Sequence, residues 1–196
     1  MFANVPEILK DVGKYWPIKE QYTDRNGILL IDSFLETYGS SYVPVDNISD
    51  SDSKRACMLF REFVARVLAG ECLYCKDWHF VKSGELSGKM YHVPSLFEDD
   101  WLNWYLLCDS STKDDFCFLY VGSANSTTFV HHDVLCSYSW SVNISGKKKW
   151  SFWSPKNSEN LFSNDSELFN RRTVLDSRPG KYCPTTFPNL IYSKPT

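Results

Sequence analysis

His131, His132 and Asp133 place an imidazole and a carboxylate two residues apart. The segment from Thr127 to Asp133 reads as a strand, and strand side chains alternate faces. His131 and Asp133 then point one way and His132 the other. An imidazole and a carboxylate side by side are two thirds of the 2-His-1-carboxylate facial triad. That triad holds Fe(II) and leaves coordination positions open for oxygen chemistry. An H-x-D pair alone fits a structural histidine better than a metal ligand, but its surroundings reverse that order. Asp133 lies on an otherwise apolar, aromatic stretch, where burying a carboxylate is costly without a cation or hydrogen-bond donors. Lys148 follows just beyond Gly146, and a hairpin there brings an ammonium towards the pair.

The elements that must position these groups follow from composition and spacing. Pro6 ahead of Glu7–Val12 predicts a short helix with proline in its first turn. Asn26-Gly27 predicts a turn before the apolar run 28–31. Asp32 is a candidate cap for a helix through Phe34, Leu35 and Tyr38, stopped by Gly39. Ser41–Val45 predicts a strand whose proline marks an edge or an end. Lys54 to Ala69 gives the clearest helical periodicity, through Leu59, Phe60, Phe63, Val64, Val67 and Leu68, with Gly70 as its terminator. Leu73 to Phe80 is strand-like, and Ser95–Glu98 reads as a capping box for a helix through Trp101 and Trp104. Strands are expected over Phe116–Val121, Thr127–Asp133 and Ser137–Ile144. The chain returns over Lys149–Trp153 after the Ser145-Gly146 turn, and a last strand follows at Leu190–Tyr192. Residues 83–88 and 156–188 read as loops. Helices first and a β-rich half second predict an α+β protein with a sandwich or barrel core.

The chain has 196 residues, enough for one domain with a substantial core. It is 43% hydrophobic and 16% aromatic, which argues against disorder. A net charge of -3 gives no overall basicity to advertise nucleic acid. No apolar run approaches the ~20 residues of a membrane span, and the first residues show no secretory signal. Seven scattered cysteines then favour reduced thiols in a cytosolic or nuclear protein. Cys72 and Cys75 form one C-x-x-C without a second, so idle thiols are expected rather than zinc. His79 is expected to be structural or to line a cleft, and His92 to lie on the surface. Trp101, Trp104 and Tyr105 are expected to pack, and Lys147 and Lys149 to be solvated.

Several stretches together carry a resemblance. They are Leu35-Glu36-Thr37-Tyr38-Gly39, Tyr42-Val43-Pro44-Val45, Leu73–His79, Asp100-Trp101-Leu102-Asn103, Phe118–Gly122, Phe129–Asp133 and Ser137–Asn143. Over roughly residues 30 to 155 the chain resembles the JmjC family of Fe(II)- and 2-oxoglutarate-dependent oxygenases, and within it the lysyl hydroxylases of the translation termination factor. The resemblance implies a JmjC/cupin-like double-stranded β-helix, or jelly roll. Residues 1–115 would be a supporting helical and strand region, and 116–196 a partial β-core in one structural unit. It implies that His131 and Asp133 are the first two iron ligands. Lys148 and Thr128 would bind the far carboxylate of 2-oxoglutarate, with Tyr74 as a further hydroxyl. A core tyrosine is an equal reading for Tyr74, and a plain β-former remains open for Thr128. The implied cofactors are Fe(II) and 2-oxoglutarate. The implied partner is a protein substrate, the termination (release) factor, in the cytosol or nucleus, with no nucleic acid and no membrane.

The family takes its third ligand from a histidine on a later strand. The four histidines here are His79, His92, His131 and His132, and none follows Asp133. The expectation is therefore a C-terminally truncated form with an incomplete jelly roll. The alternative to an oxygenase is a non-catalytic fragment that acts only as a binding module. A metal-binding cupin of another chemistry is a third reading.

Overall fold

Pro17 opens the first helix, α1 (Pro17–Tyr22), where a missing N–H costs nothing because first-turn donors lack intrahelical partners. The computed structural model describes residues 5–48, 55–80, 90–108, 116–128, 131, 133, 137–154 and 191–192. The helix expected after Pro6 does not form. Val5, Ile8 and Leu9 are exposed, so no apolar face is buried to support a short helix there. The chain instead turns over residues 12–15, just past Asp11 at φ 62°.

The chain divides into two compact units. The first comprises Lys10–Thr127 and Val142–Gly146. Beyond α1, its Asn26-Gly27 turn is held by Asp24, whose Oδ1 accepts from the backbone N–H groups of Asn26 (2.8 Å) and Ile28 (2.9 Å), with Gly27 at φ 75°. Helix α2 (Ile31–Tyr38) follows and buries Phe34 and Tyr38, one turn apart on one face. Asp32 does not cap it. It sits in the first turn, where its charge favours the helix dipole.

Strand β1 (Tyr42–Asn47) runs antiparallel to β2 (Ala56–Leu59), and α3 (Phe60–Leu68) starts directly from β2. The single helix expected over 54–69 thus begins as a strand, and only Phe60–Leu68 is helical. Ala56–Leu59 has a partner in Tyr42–Val45, and the Phe60 N–H donates to the Ser41 carbonyl at 2.9 Å. Local periodicity cannot register that competing ladder. Gly70, at φ 96°, ends the helix as expected.

The sheet order is β2-β1-β3-β4, all antiparallel, with β3 at Leu73–Trp78 and β4 at Leu119–Gly122. Pro44 therefore lies in a central strand rather than at an edge. It pairs with Cys57 on the β2 side, while the β3 ladder begins one residue later, at Val45 opposite Cys75. Between Cys75 and Trp78 the register shifts, and Asp77 takes a left-handed backbone, φ 61°.

An aromatic cluster fills the space between helices and sheet. Phe34 has ring neighbours Tyr22 (5.0 Å), Tyr38 (4.6 Å), Phe60 (5.5 Å), Trp78 (6.4 Å) and Phe80 (5.9 Å). Helix α4 (Trp101–Cys108) is headed by Asp100, not by the expected Ser95 box. Asp100 Oδ1 accepts from the Asn103 N–H at 3.0 Å and Oδ2 from Asn103 Nδ2 at 2.8 Å. Ser95–Phe97 forms only a 3-10 turn.

The second unit comprises Met1–Leu9, Thr128–Ser141 and Lys147–Thr196. Its ladder pairs β5 (Ser151–Phe152) with β6 (Ile191–Tyr192), within the stretches expected to be strands. The described residues of the expected strands 127–133 and 137–144 join no ladder. β-branched and aromatic composition favours a strand only where a partner offers its backbone groups. The α+β class holds, and both sheets among the described residues are antiparallel, consistent with the expected jelly roll. The expected loops 83–88 and 156–188, and His132, lie outside the described residues.

Candidate functional site

His131 and Asp133 need only an extended backbone to share a side, and they do share one. His131 Nε2 lies 3.4 Å from Asp133 Oδ1, with the two side chains 52% and 36% exposed. Two ligands at adjacent corners of an octahedral cation with bonds of about 2.1 Å lie roughly 3 Å apart. One neutral nitrogen and one anionic oxygen at this separation, both open to solvent, fit two corners of a divalent transition metal. No group of three histidine, cysteine or acidic side chains able to hold a metal is found among the described residues.

Thr128 and Lys148 belong to the same unit as this pair. Thr128 is half-buried. The Lys148 ammonium lies 4.3 Å from the centroid of the Trp150 ring, which stacks on Phe152 at 5.7 Å and 9°. Although the residue as a whole is exposed, desolvation pushes this ammonium below the ordinary lysine value. An ammonium over an aromatic face is held there by attraction to the ring.

Tyr74 belongs to the first unit. It is buried on β3 opposite Gly122, 6.0 Å from the Tyr120 ring. His79 packs edge-on against Phe118 at 4.8 Å, in keeping with a structural histidine, and His92 is exposed. Cys72 and Cys75 are free thiols; burial pushes the Cys75 thiol up to about 12. Trp101, Trp104 and Tyr105 do not pack as expected. They are exposed, at 67%, 60% and 67%.

Sequence reasoning missed one constellation in the first unit. The Arg55 guanidinium donates to Asp46 (2.8 and 3.2 Å) and to Asp77 (2.8 Å), and the Tyr120 hydroxyl donates to Asp77 at 2.7 Å. Asp77 entered the sequence reading only as part of the Leu73–His79 stretch, and nothing there signals a left-handed aspartate. A second omission is a local clamp. Asn143 Nδ2 donates to the Gly146 carbonyl at 2.7 Å, and Ser145 Oγ accepts from the Leu29 N–H at 2.9 Å.

A cupin-like domain family model matches residues 1–186. The chain is similar to the arginine-specific demethylase JMJ20 of Arabidopsis thaliana, at 35% identity over 81% of this chain and 39% of that protein. It is similar to the 2-oxoglutarate and iron-dependent oxygenase JMJD4 of Homo sapiens, at 32% identity over 74% of this chain and 37% of that protein. The JMJD4 homolog of Drosophila melanogaster is 45% identical over 50% of this chain and 22% of its own length. The chain spans less than half the length of these curated relatives. No solved structure matches.

Proposed function

The chain belongs to the cupin-like domain family, and from that premise we propose that it carries part of the active site of an Fe(II)- and 2-oxoglutarate-dependent oxygenase acting on a protein side chain. The observation that carries this reading is the His131–Asp133 pair, two metal-ligating atoms 3.4 Å apart and open to solvent. Relatives named as 2-oxoglutarate and iron-dependent oxygenases support the choice of cofactors. The proposed substrate is a lysine of the translation termination factor, and the proposed setting is the cytosol. No described helix is long and apolar enough to cross a membrane.

Bound Fe(II) and 2-oxoglutarate would supply dioxygen activation, one oxygen atom entering a C–H bond and the other leaving in succinate as CO2 is lost. His131 offers the Nε2 lone pair and must be unprotonated to do so. Asp133 offers an anionic oxygen that offsets the charge of the dication. Lys148, its charge poised over Trp150, would grip the far carboxylate of 2-oxoglutarate, and the Thr128 hydroxyl would donate a second hydrogen bond.

Anaerobic titration with Fe(II), then with 2-oxoglutarate, tests the reading, followed by succinate release with a termination-factor peptide. His131→Ala and Asp133→Ala should each weaken metal binding at least about tenfold. Lys148→Ala should weaken 2-oxoglutarate about 10- to 100-fold with metal binding intact. Tyr74→Phe tests the further hydroxyl. Metal affinity unchanged by both ligand substitutions would overturn the proposal. A second reading, a binding module without turnover, is favoured by the donor count among the described residues, where no group of three metal-ligating side chains is found. Peptide binding without succinate release would select it.

A further inference from the structure

Helix α4 presents its most aromatic stripe to solvent. Trp101, Trp104, Tyr105 and Cys108 recur at helical spacing, so they share one face, and all four are exposed. The residues between, Leu102 and Asn103, are half-buried. Asn103 is fixed on both sides, by Asp100 and by the Phe116 N–H, which donates to its Oδ1 at 2.9 Å. The helix is therefore held with its aromatic face outward. Trp101 and Trp104 meet edge to face, with centroids 5.7 Å apart, leaving ring surface uncovered. A contiguous exposed aromatic patch of this kind marks an interaction surface.

Charge identifies what fits it. Glu98 and Asp99 are exposed immediately before the helix, and helical side chains lean towards the N-terminal end, so the rings lean towards these carboxylates. From Tyr91 to Thr112 the sequence has no lysine or arginine. Exposed indole and phenol faces next to the exposed carboxylates of Glu98 and Asp99 suit cations with apolar stems: the stem lies on the ring, the charge over its face or beside an acid. We propose that this face of α4 is a docking surface for a lysine- or arginine-rich segment of a partner protein. The inference does not rest on the iron chemistry, and its test uses neither metal nor 2-oxoglutarate.

The experiment titrates the full chain with decalysine, with decaglutamate and with a neutral leucine-rich peptide, at low and high salt, following tryptophan fluorescence and calorimetry. Decalysine should bind and decaglutamate should not. Trp101→Ala and Trp104→Ala should each weaken decalysine about tenfold, and Trp104→Phe less. Glu98→Gln with Asp99→Asn should weaken binding and flatten its salt dependence. These sites are exposed, so unchanged thermal unfolding of each variant confirms that folding is intact. Decalysine binding that is absent, or unchanged by both tryptophan substitutions, would overturn the proposal. So would equal binding of the neutral peptide, or a self-association that Trp104→Ala abolishes, since the occupant would then be an apolar segment or a second copy.

Discussion

The Tyr120 hydroxyl donates to Asp77 at 2.7 Å, tying β4 to the irregular turn of β3. Asp77 in turn binds Arg55, which also holds Asp46 on β1. One left-handed aspartate thus joins three strands and the residue leading into β2.

Removing the Tyr120 hydroxyl with Tyr120→Phe should cost about 1 kcal/mol in urea unfolding. Asp77→Ala should cost more, about 1 to 3 kcal/mol, because it leaves Arg55 with one partner and places a Cβ-only residue at positive φ. Asp77→Asn, which tolerates that backbone, should fall between them. Equal stability of Asp77→Ala and wild type would remove the network from the account of the sheet.

The same carboxyl sets an acid limb. Burial pushes the Asp77 carboxyl up, but the Tyr120 and Arg55 hydrogen bonds outweigh it and hold the group below the usual carboxylate value. A carboxyl lowered in the folded state stabilises the fold above its unfolded value, and that contribution is lost as pH falls through the folded value. Wild type should therefore lose more stability than Asp77→Asn below about pH 4. Thermal unfolding across that range decides it, and parallel curves would refute the coupling.

Cys75 makes the opposite prediction. Burial raises its thiol, so its contribution is complete below the ordinary thiol value and is lost as pH climbs past about 8.5 towards the folded value. Alkylation at pH 8 read by mass spectrometry should modify the exposed Cys57 and Cys108 and spare Cys75 until denaturant is added. Prompt Cys75 labelling in the native protein would contradict its burial.

Phe34 has five aromatic neighbours, and Phe34→Ala should cost about 3 to 5 kcal/mol. Phe34→Leu, which keeps most of the volume, should cost less than half of that, by the shift of the unfolding midpoint.

Gly122 faces Ser126, and an added Cβ would run into the Ser126 side chain and come within 3.2 Å of the Tyr74 ring. Gly122→Ala should destabilise by about 1 to 3 kcal/mol. Adding Ser126→Gly should restore much of that loss. Additive effects in this double-mutant cycle would show that the two residues do not meet.

Local chemistry was legible where one residue decides the backbone. Asn26-Gly27 turns and Gly70 ends α3, because positive φ is a property of the residue itself. Phe60, Phe63 and Val64 mark the buried face of α3 through their spacing alone. Legibility failed where a distant partner decides. Ala56–Leu59 carries helical periodicity yet pairs with β1. Pro44 reads as an edge residue yet sits in a central strand. His131 and Asp133 come together from their spacing alone, whereas the strand expected around them needed a partner that composition cannot announce. Asp77 was invisible because its left-handed turn arises from a register shift between strands far apart in sequence.

The β5–β6 ladder implies an order of events during folding. β1 and β2 meet across a short connection, whereas Phe152 must find Ile191 across a loop of roughly 40 residues, at a closure cost of about 3 kcal/mol, for two residue pairs. The four-stranded sheet can zip first from nearby segments. The two-residue ladder then closes late and opens early. Under mild denaturant, amide protons at Ser151 and Phe152 should exchange before those of β1 and β3, so this short ladder reports the first opening.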